Sequence, residues 1–348
     1  MSDLQKALDY ANQNRKRFLN ELSEVLKIPS ISTDAQFNNE VLRAAEWMAD
    51  YLKRLGMENV EVMPTEGGHP VVYADYIKKP GAPTVLVYGH YDVQPPDPEE
   101  LWETGPFEPQ VRGDLLFARG ASDMKGQVLA TFHAIESLMK SGGAPSGAER
   151  SRGVPVNLKF LLEGEEEIGS KHLEPFLQKH AEKFKADVSL NPDAGMMGID
   201  MPTITYGLRG LAYFEINVWG PRADLHSGLY GGAVHNPAQV LAELVAKMHD
   251  EKGRITLPGF YDSVRTLTPQ ERADFARLPN DDASYLKETG VPALWGEEGY
   301  TSAERTGARP TLEAAGVLAH VCSVGHERVP GDVRRIGVAM DDRPVFQR

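Results

Sequence analysis

Cysteine is almost missing: 348 residues contain one, Cys322. A lone thiol closes no disulfide within the chain and excludes Cys-based zinc sites, so any metal must be held by His, Asp and Glu. Positive charge is in deficit as well. Lys plus Arg number 37 against 50 Asp plus Glu, a formal net charge of −13, which opposes the counterion release behind nucleic-acid binding. No apolar run approaches the roughly 20 residues of a membrane-spanning helix. The opening MSDLQKALDYANQNRKRF is polar where a signal peptide needs an apolar core. The expectation is a cytoplasmic protein without nucleic-acid or membrane partners. No repeat of roughly 20–50 residues is present. Gly231-Gly232 lies in neither a GxxxxGK[ST] nor a GxGxxG pattern, so it reads as a flexible turn.

The remaining composition is that of a soluble globular protein, with 41% hydrophobic and 25% charged residues. At about 150 residues per domain the length suggests two domains or one large one. Leu4, Leu8, Ala11, Phe18, Leu22 and Val25 recur at helical spacing until Pro29, and Val41 to Leu55 predicts a second helix with Gly56 at its C′ place. NVEVM, PVVYADYI and TVLVYG read as strands, then DLLFARG, a helix over 125–140, the strand VNLKFLLEG, a helix across KHLEPFLQKHAEKFKA and the strand ADVSL. This alternation predicts an α/β fold with a helix-flanked, mixed sheet. Further on, LAYFEINVWG alternates as a half-buried strand, with Ala212, Phe214, Ile216 and Val218 on its apolar side, and a helix is expected from Asn236 to Asp250.

Ligands of open α/β sheets bind beyond the carboxyl ends of the strands. There the sequence places His90 and Asp92, then Asp123 just before a helix, the run Glu165-Glu166-Glu167, and Asp193. Each alone has a plain reading: a structural histidine, a helix N-cap, a solvated acidic face, a turn. Their coincidence at successive strand ends favours a metal site, because carboxylates and imidazoles suit zinc, manganese and cobalt. In it Asp92 would orient the His90 ring. Of Glu166 and Glu167, one would ligate metal and the other take a proton from water. His133 reads as a packed or surface histidine. Arg209 could pair with a substrate carboxylate, but a hinge role between domains is favoured.

The segments GHYDVQPPDPEELWETGPFEP, RGASDMKGQ, EGEEEIGS, TYGLRG and ADLHSGLYGGAVHNP, in that order, resemble the M20 family of metallopeptidases, in its cytosolic dipeptidase or carnosinase-like branch. The resemblance implies two divalent ions, zinc or manganese. It makes His90 and Asp193 ligands of the first ion, Asp123 the bridging carboxylate and Glu167 a ligand of the second. Glu166 becomes the general base, Asp92 the partner of His90, and His226 the lid-domain histidine that reaches across a homodimer to polarise the scissile carbonyl. Asp187 is read as a strand residue rather than a ligand.

The similarity runs through RPTLE to Glu313, after which the sequence departs from the family's longer continuation and reads as truncated or frame-shifted. The expected organisation is a metal-binding catalytic domain over 1–207, a partial lid or dimerisation domain over 208–313 and a divergent tail over 314–348. His320 and His326 are possible substitutes for a last metal ligand, a role that nothing in their spacing supports. The expected activity is metal-dependent dipeptide hydrolysis. The rival readings are an N-acyl amino acid amidohydrolase and an inactive metal-binding or dimerising remnant.

Overall fold

A computed structural model describes residues 3–141, 154–198, 200–205, 207–314 and 337–340. Cys322, His320 and His326 lie outside the described residues. The chain divides into two compact units, Met1–Gly195 and Met196–Arg348. Among the described residues no helix is long and apolar enough to cross a membrane.

The first unit opens with α1 (Asp3–Leu26) and α2 (Asn38–Leu55). Helix α2 buries Val41, Ala44, Ala45, Met48, Leu52 and Leu55, the three- and four-residue spacing of one helix face. It stops at Gly56, whose φ of 90° lets its N–H close onto the carbonyls of Leu52 and Lys53. Strands β1 (Glu58–Met63), β2 (Val71–Tyr76) and β3 (Thr84–His90) follow, then the hairpin β4 (Gln110–Arg112) and β5 (Leu115–Phe117), and α3 (Lys125–Ser141). Strand β6 (Asn157–Glu163), α4 (Leu173–Lys179), α5 (Ala181–Phe184) and β7 (Val188–Leu190) complete it.

The sheet order is β1-β2-β6-β3-β7. Strands β6, β3 and β7 are parallel, β2 pairs antiparallel with β6, and β1 pairs antiparallel with β2, which makes the sheet mixed. Period-two alternation splits its side chains between two cores. Val72, Ala74, Phe160 and Leu162 pack with α2 and α3, whereas Val71, Tyr73 and Leu161 pack with Phe176 and Phe184 of α4 and α5. The helix expected across KHLEPFLQKHAEKFKA breaks at His180 (φ −116°, ψ 22°), and both halves still deliver a phenylalanine to the same core. DLLFARG contributes a strand to the separate β4–β5 hairpin, not to the main sheet.

The second unit contains β8 (Ala212–Glu215), α6 (Ser227–Tyr230), α7 (Pro237–Ala246), α8 (Pro269–Phe275), α9 (Asp282–Thr289), α10 (Ser302–Gly307), β9 (Leu312–Ala314) and β10 (Gly337–Met340). Strand β10 pairs with both β8 and β9, so part of the segment 314–348 belongs to this sheet. Strand β8 is shorter than the alternation predicts: Phe214 is half exposed, while Ile216 and Val218, past the strand, pack on the core of Leu241, Ile255 and Leu312. Helix α7 starts where expected, with the Asn236 side chain accepting from the Ala238 N–H, but ends at Ala246.

Candidate metal centre

The parallel register sets His90 opposite Glu163 at the carboxyl end of β3, with β7 on the other side. His90 is fully buried, and its Nε2 points at carboxylates from three other segments. Asp123 Oδ1 is at 3.2 Å, Asp193 Oδ2 at 3.7 Å and Glu166 Oε2 at 3.9 Å. His90, Asp123 and Asp193 form one group whose donor atoms lie within 4.8 Å of one another, and His90, Glu166 and Glu167 form a second. Asp123 occupies the turn before α3 rather than the end of a main-sheet strand. Glu166 and Glu167 start the short 3₁₀ turn after β6, and Asp193 lies in the loop after β7.

The other ring nitrogen of His90 is 3.1 Å from the main-chain oxygen of Asp92 and 3.4 Å from its Oδ1. The hydrogen bond to the ring is therefore made by the Asp92 main chain, with the carboxylate alongside it. Asp92 is itself fully buried, and its Oδ2 accepts from the Glu167 N–H at 3.1 Å. Gln94, a residue that no motif in the sequence marks, grips Glu167 from the β3 side. Its amide Nε2 donates to Glu167 Oε2 at 2.8 Å and to the main-chain oxygen at 3.0 Å, and its N–H donates to Oε1 at 3.2 Å. The signal for it in the sequence is its place two residues after Asp92, in the segment that follows β3.

Charge is concentrated here. Burial pushes Glu166, Glu167 and Asp193 above their ordinary carboxylate range, and neighbouring acids add to the shift against the opposing charge of His90. Burial favours a neutral His90 ring, but Asp92, Glu166 and Asp193 together outweigh it and raise the imidazole to about 9. An imidazole nitrogen, four carboxylates and no thiolate is a set that divalent zinc, manganese or cobalt accepts. A cation is also the counter-charge that gathered acids call for. The donor set fits a divalent metal.

The remaining candidates belong to other elements. His226 is exposed in the second unit, where its Nδ1 accepts from the Gly228 N–H at 2.9 Å and caps α6. Arg209 donates to Thr311 Oγ1 at 3.1 Å and to the Arg309 carbonyl at 3.4 Å, both also in the second unit. Asp187 accepts from the Thr84 N–H at 2.7 Å, at the far end of β3 from His90. His133 stacks on Phe18 with ring centroids 3.9 Å apart and bonds Glu21, the packed role expected of it.

Comparison with known proteins places these residues in context. Residues 86–332 match the family described as Peptidase family M20/M25/M40, a match that continues past Glu313. The Cys-Gly metallodipeptidase dug1 of Schizosaccharomyces pombe is 36% identical over 285 residues, 77% of this chain and 57% of that protein. The human Beta-Ala-His dipeptidase is 33% identical over 301 residues, 83% of this chain and 58% of that protein. The chain thus spans somewhat over half the length of these relatives. Among solved structures, the dipeptidase Dug1p of Saccharomyces cerevisiae superposes with a TM-score of 0.78 at 28% identity, covering 100% of this chain and 74% of that one. Human carnosine dipeptidase 1 gives 0.77 at 29% identity, with the same coverage. With the acidic and imidazole side chains gathered at the carboxyl end of a mixed sheet and a family match across most of the sequence, the chain belongs to peptidase family M20/M25/M40.

Proposed function

We propose that the protein hydrolyses dipeptides with the help of two divalent ions, zinc or manganese. The observation that carries this reading is the convergence on His90 of Asp123, Glu166, Glu167 and Asp193 from separate segments of the first unit. The named relatives supply the substrate class. His90 and Asp193 would hold one ion, Glu167 the other, and Asp123 both. Ions held there would polarise the scissile carbonyl and make water acidic enough to ionise near neutral pH.

The protein's own groups carry the proton. Glu166, 40% exposed at its side chain and raised by burial, suits a general base that takes the proton of the attacking water. It then returns that proton to the leaving amine. Asp92 and the main chain fix the His90 ring from behind. His226 is proposed to polarise the substrate carbonyl within a cytoplasmic homodimer formed through the second unit. Since its Nδ1 accepts the Gly228 N–H, the neutral ring carries its proton on Nε2, the tautomer that can donate outward.

The test is a panel of dipeptides beside N-acetyl and N-succinyl amino acids, with added manganese or zinc, run with Glu166→Gln. Metal-dependent dipeptide turnover that falls at least 10²-fold in the variant, with metal still bound, is the expected outcome. Preferential cleavage of the N-acyl compounds would replace the substrate class with the amidohydrolase alternative. A folded, metal-loaded chain that cleaves neither would leave a non-catalytic family member.

A further inference from the structure

Lys125 is fully buried, two residues after Asp123, and its amino group meets main-chain oxygens rather than a carboxylate. The ammonium donates to the main-chain oxygens of Ile28 at 2.8 Å and Val25 at 3.4 Å. Val25 is in the last turn of α1 and Ile28 is just beyond it. Both carbonyls also accept main-chain N–H groups, from Ile28 and Ser30, and the partial negative charge at the carboxyl end of a helix suits a lysine there. The turn that presents Asp123 is thereby anchored to the carboxyl end of α1.

The same end of α1 also holds the His90 segment. Ser30 Oγ donates to the Tyr91 carbonyl at 2.6 Å in a buried contact, and the Ser30 carbonyl accepts from the Val93 N–H at 2.9 Å. Ile31 and Val93 form a parallel bridge. These bonds flank Asp92 on both sides, two residues beyond His90. Between the two anchors, Met124 is fully buried with its sulfur 3.2 Å from the His90 N–H. Gly126 closes the Asp123 turn so tightly that a Cβ there would lie 2.1 Å from the Ala121 carbonyl oxygen. One strap, residues 25–31, is bonded both to the strand end bearing His90 and Asp92 and to the turn bearing Asp123.

We infer that Lys125 is a positioning residue of the metal centre: through the strap after α1, it and Ser30 set the separation of Asp123 from His90 before an ion binds. The inference rests on the reading of His90, Asp123 and Asp193 as metal ligands. A purely structural lysine would affect the stability of the fold but not the affinity of folded protein for metal. A positioning lysine changes the affinity and the ligand geometry.

The experiment titrates the full chain with cobalt(II), following heat and the visible absorption band of the bound ion, for the wild type, Lys125→Met and Ser30→Ala. Circular dichroism verifies the fold of each. Lys125→Met keeps the length and apolar volume of the side chain and removes the donor. Folded Lys125→Met and Ser30→Ala are expected to bind cobalt about 10–100-fold more weakly, the range for residues that orient ligands, with an altered absorption band. Wild-type affinity and spectrum in folded Lys125→Met would overturn the inference. If that variant does not fold, wild-type affinity and spectrum in Ser30→Ala would overturn it instead. A wild-type chain that binds no cobalt would refute the metal reading itself, and this inference with it.

Discussion

Gln94 illustrates how a neutral side chain can decide the behaviour of an acidic one. It meets Glu167 through three hydrogen bonds, and the Asp92 carboxylate holds the Glu167 N–H from a fourth direction. These contacts fix the first residue pair of the 3₁₀ turn, so Glu167 faces the His90 group in a set orientation rather than sampling rotamers in solvent. Residues that orient a ligand typically contribute about 10–100-fold to metal affinity. Gln94→Ala is therefore expected to weaken zinc binding by that order while the fold persists. Calorimetric titration beside the wild type checks this, and superimposable isotherms would remove Gln94 from the centre. The HxD pair and adjacent glutamates stood out in the sequence because their chemistry is visible in their identity. Gln94 and Lys125 did not, because their roles depend on what a distant segment brings within 3 Å or so, which spacing along one chain does not encode.

Helices α1 and α3 are joined by a polar cluster rather than by apolar contact alone. Arg17 of α1 bonds Glu21 at 2.9 Å and Glu136 of α3 at 2.6 Å, Tyr10 and Tyr51 donate to these acids, and His133 bonds Glu21 at 3.1 Å. Burial lowers the pKa of His133 below its usual 6.5, and Glu21 only partly opposes this. Burial alone would raise Glu136, but the bonds from Arg17 and Tyr10 and the nearby charges outweigh it, and Glu136 lies below 4.5. In both cases the unfolded chain binds protons more readily than the folded one, so stability rises with pH through each window. The His133 contribution is fully present above about pH 6.5 and is lost as pH falls toward its lowered folded value. That of Glu136 is lost below about 4.5. Denaturant unfolding at pH 5, 6, 7 and 8 is expected to show wild-type stability gaining on His133→Gln between pH 5 and 7, since glutamine keeps a donor to Glu21 but does not titrate. A constant difference across that range would refute this. Periodicity foresaw both helices because each keeps an apolar stripe, Val128, Leu129, Phe132 and Ile135 in the case of α3. It did not foresee this cluster, nor the break at His180, nor β10, whose place in the second sheet depends on partners more than twenty residues away in sequence.

Across the whole molecule, acids are paired in contrasting ways. In the second unit Glu297 takes two bonds from buried Arg309, at 2.8 and 3.0 Å, and Glu304 takes two from Arg272, at 2.8 and 3.2 Å. In the first unit Asp75 accepts from Asn59 and Tyr73. Apart from the Gln94 donors on Glu167, the carboxylates around His90 instead face one another and a single imidazole, in a chain with 13 more acids than bases by the 50 against 37 count. Their mutual repulsion is a cost of the folded first unit that a divalent cation would relieve. A ligand that binds only the folded state at 100 times its Kd adds about 2.7 kcal/mol of stability. Amides that exchange only by unfolding of the first unit would then exchange about 100-fold more slowly. Peptides from β3 and β6, the strands that carry His90 and end before Glu166, are the ones to follow by hydrogen–deuterium exchange with zinc and again with excess EDTA. Slower exchange with zinc, reversed by EDTA and absent from an Asp123→Asn, Asp193→Asn double variant, is the expected result. Unchanged exchange in β3 and β6 at saturating zinc would mean that the gathered carboxylates are held apart by the fold alone, and the electrostatic case for an ion at His90 would fail.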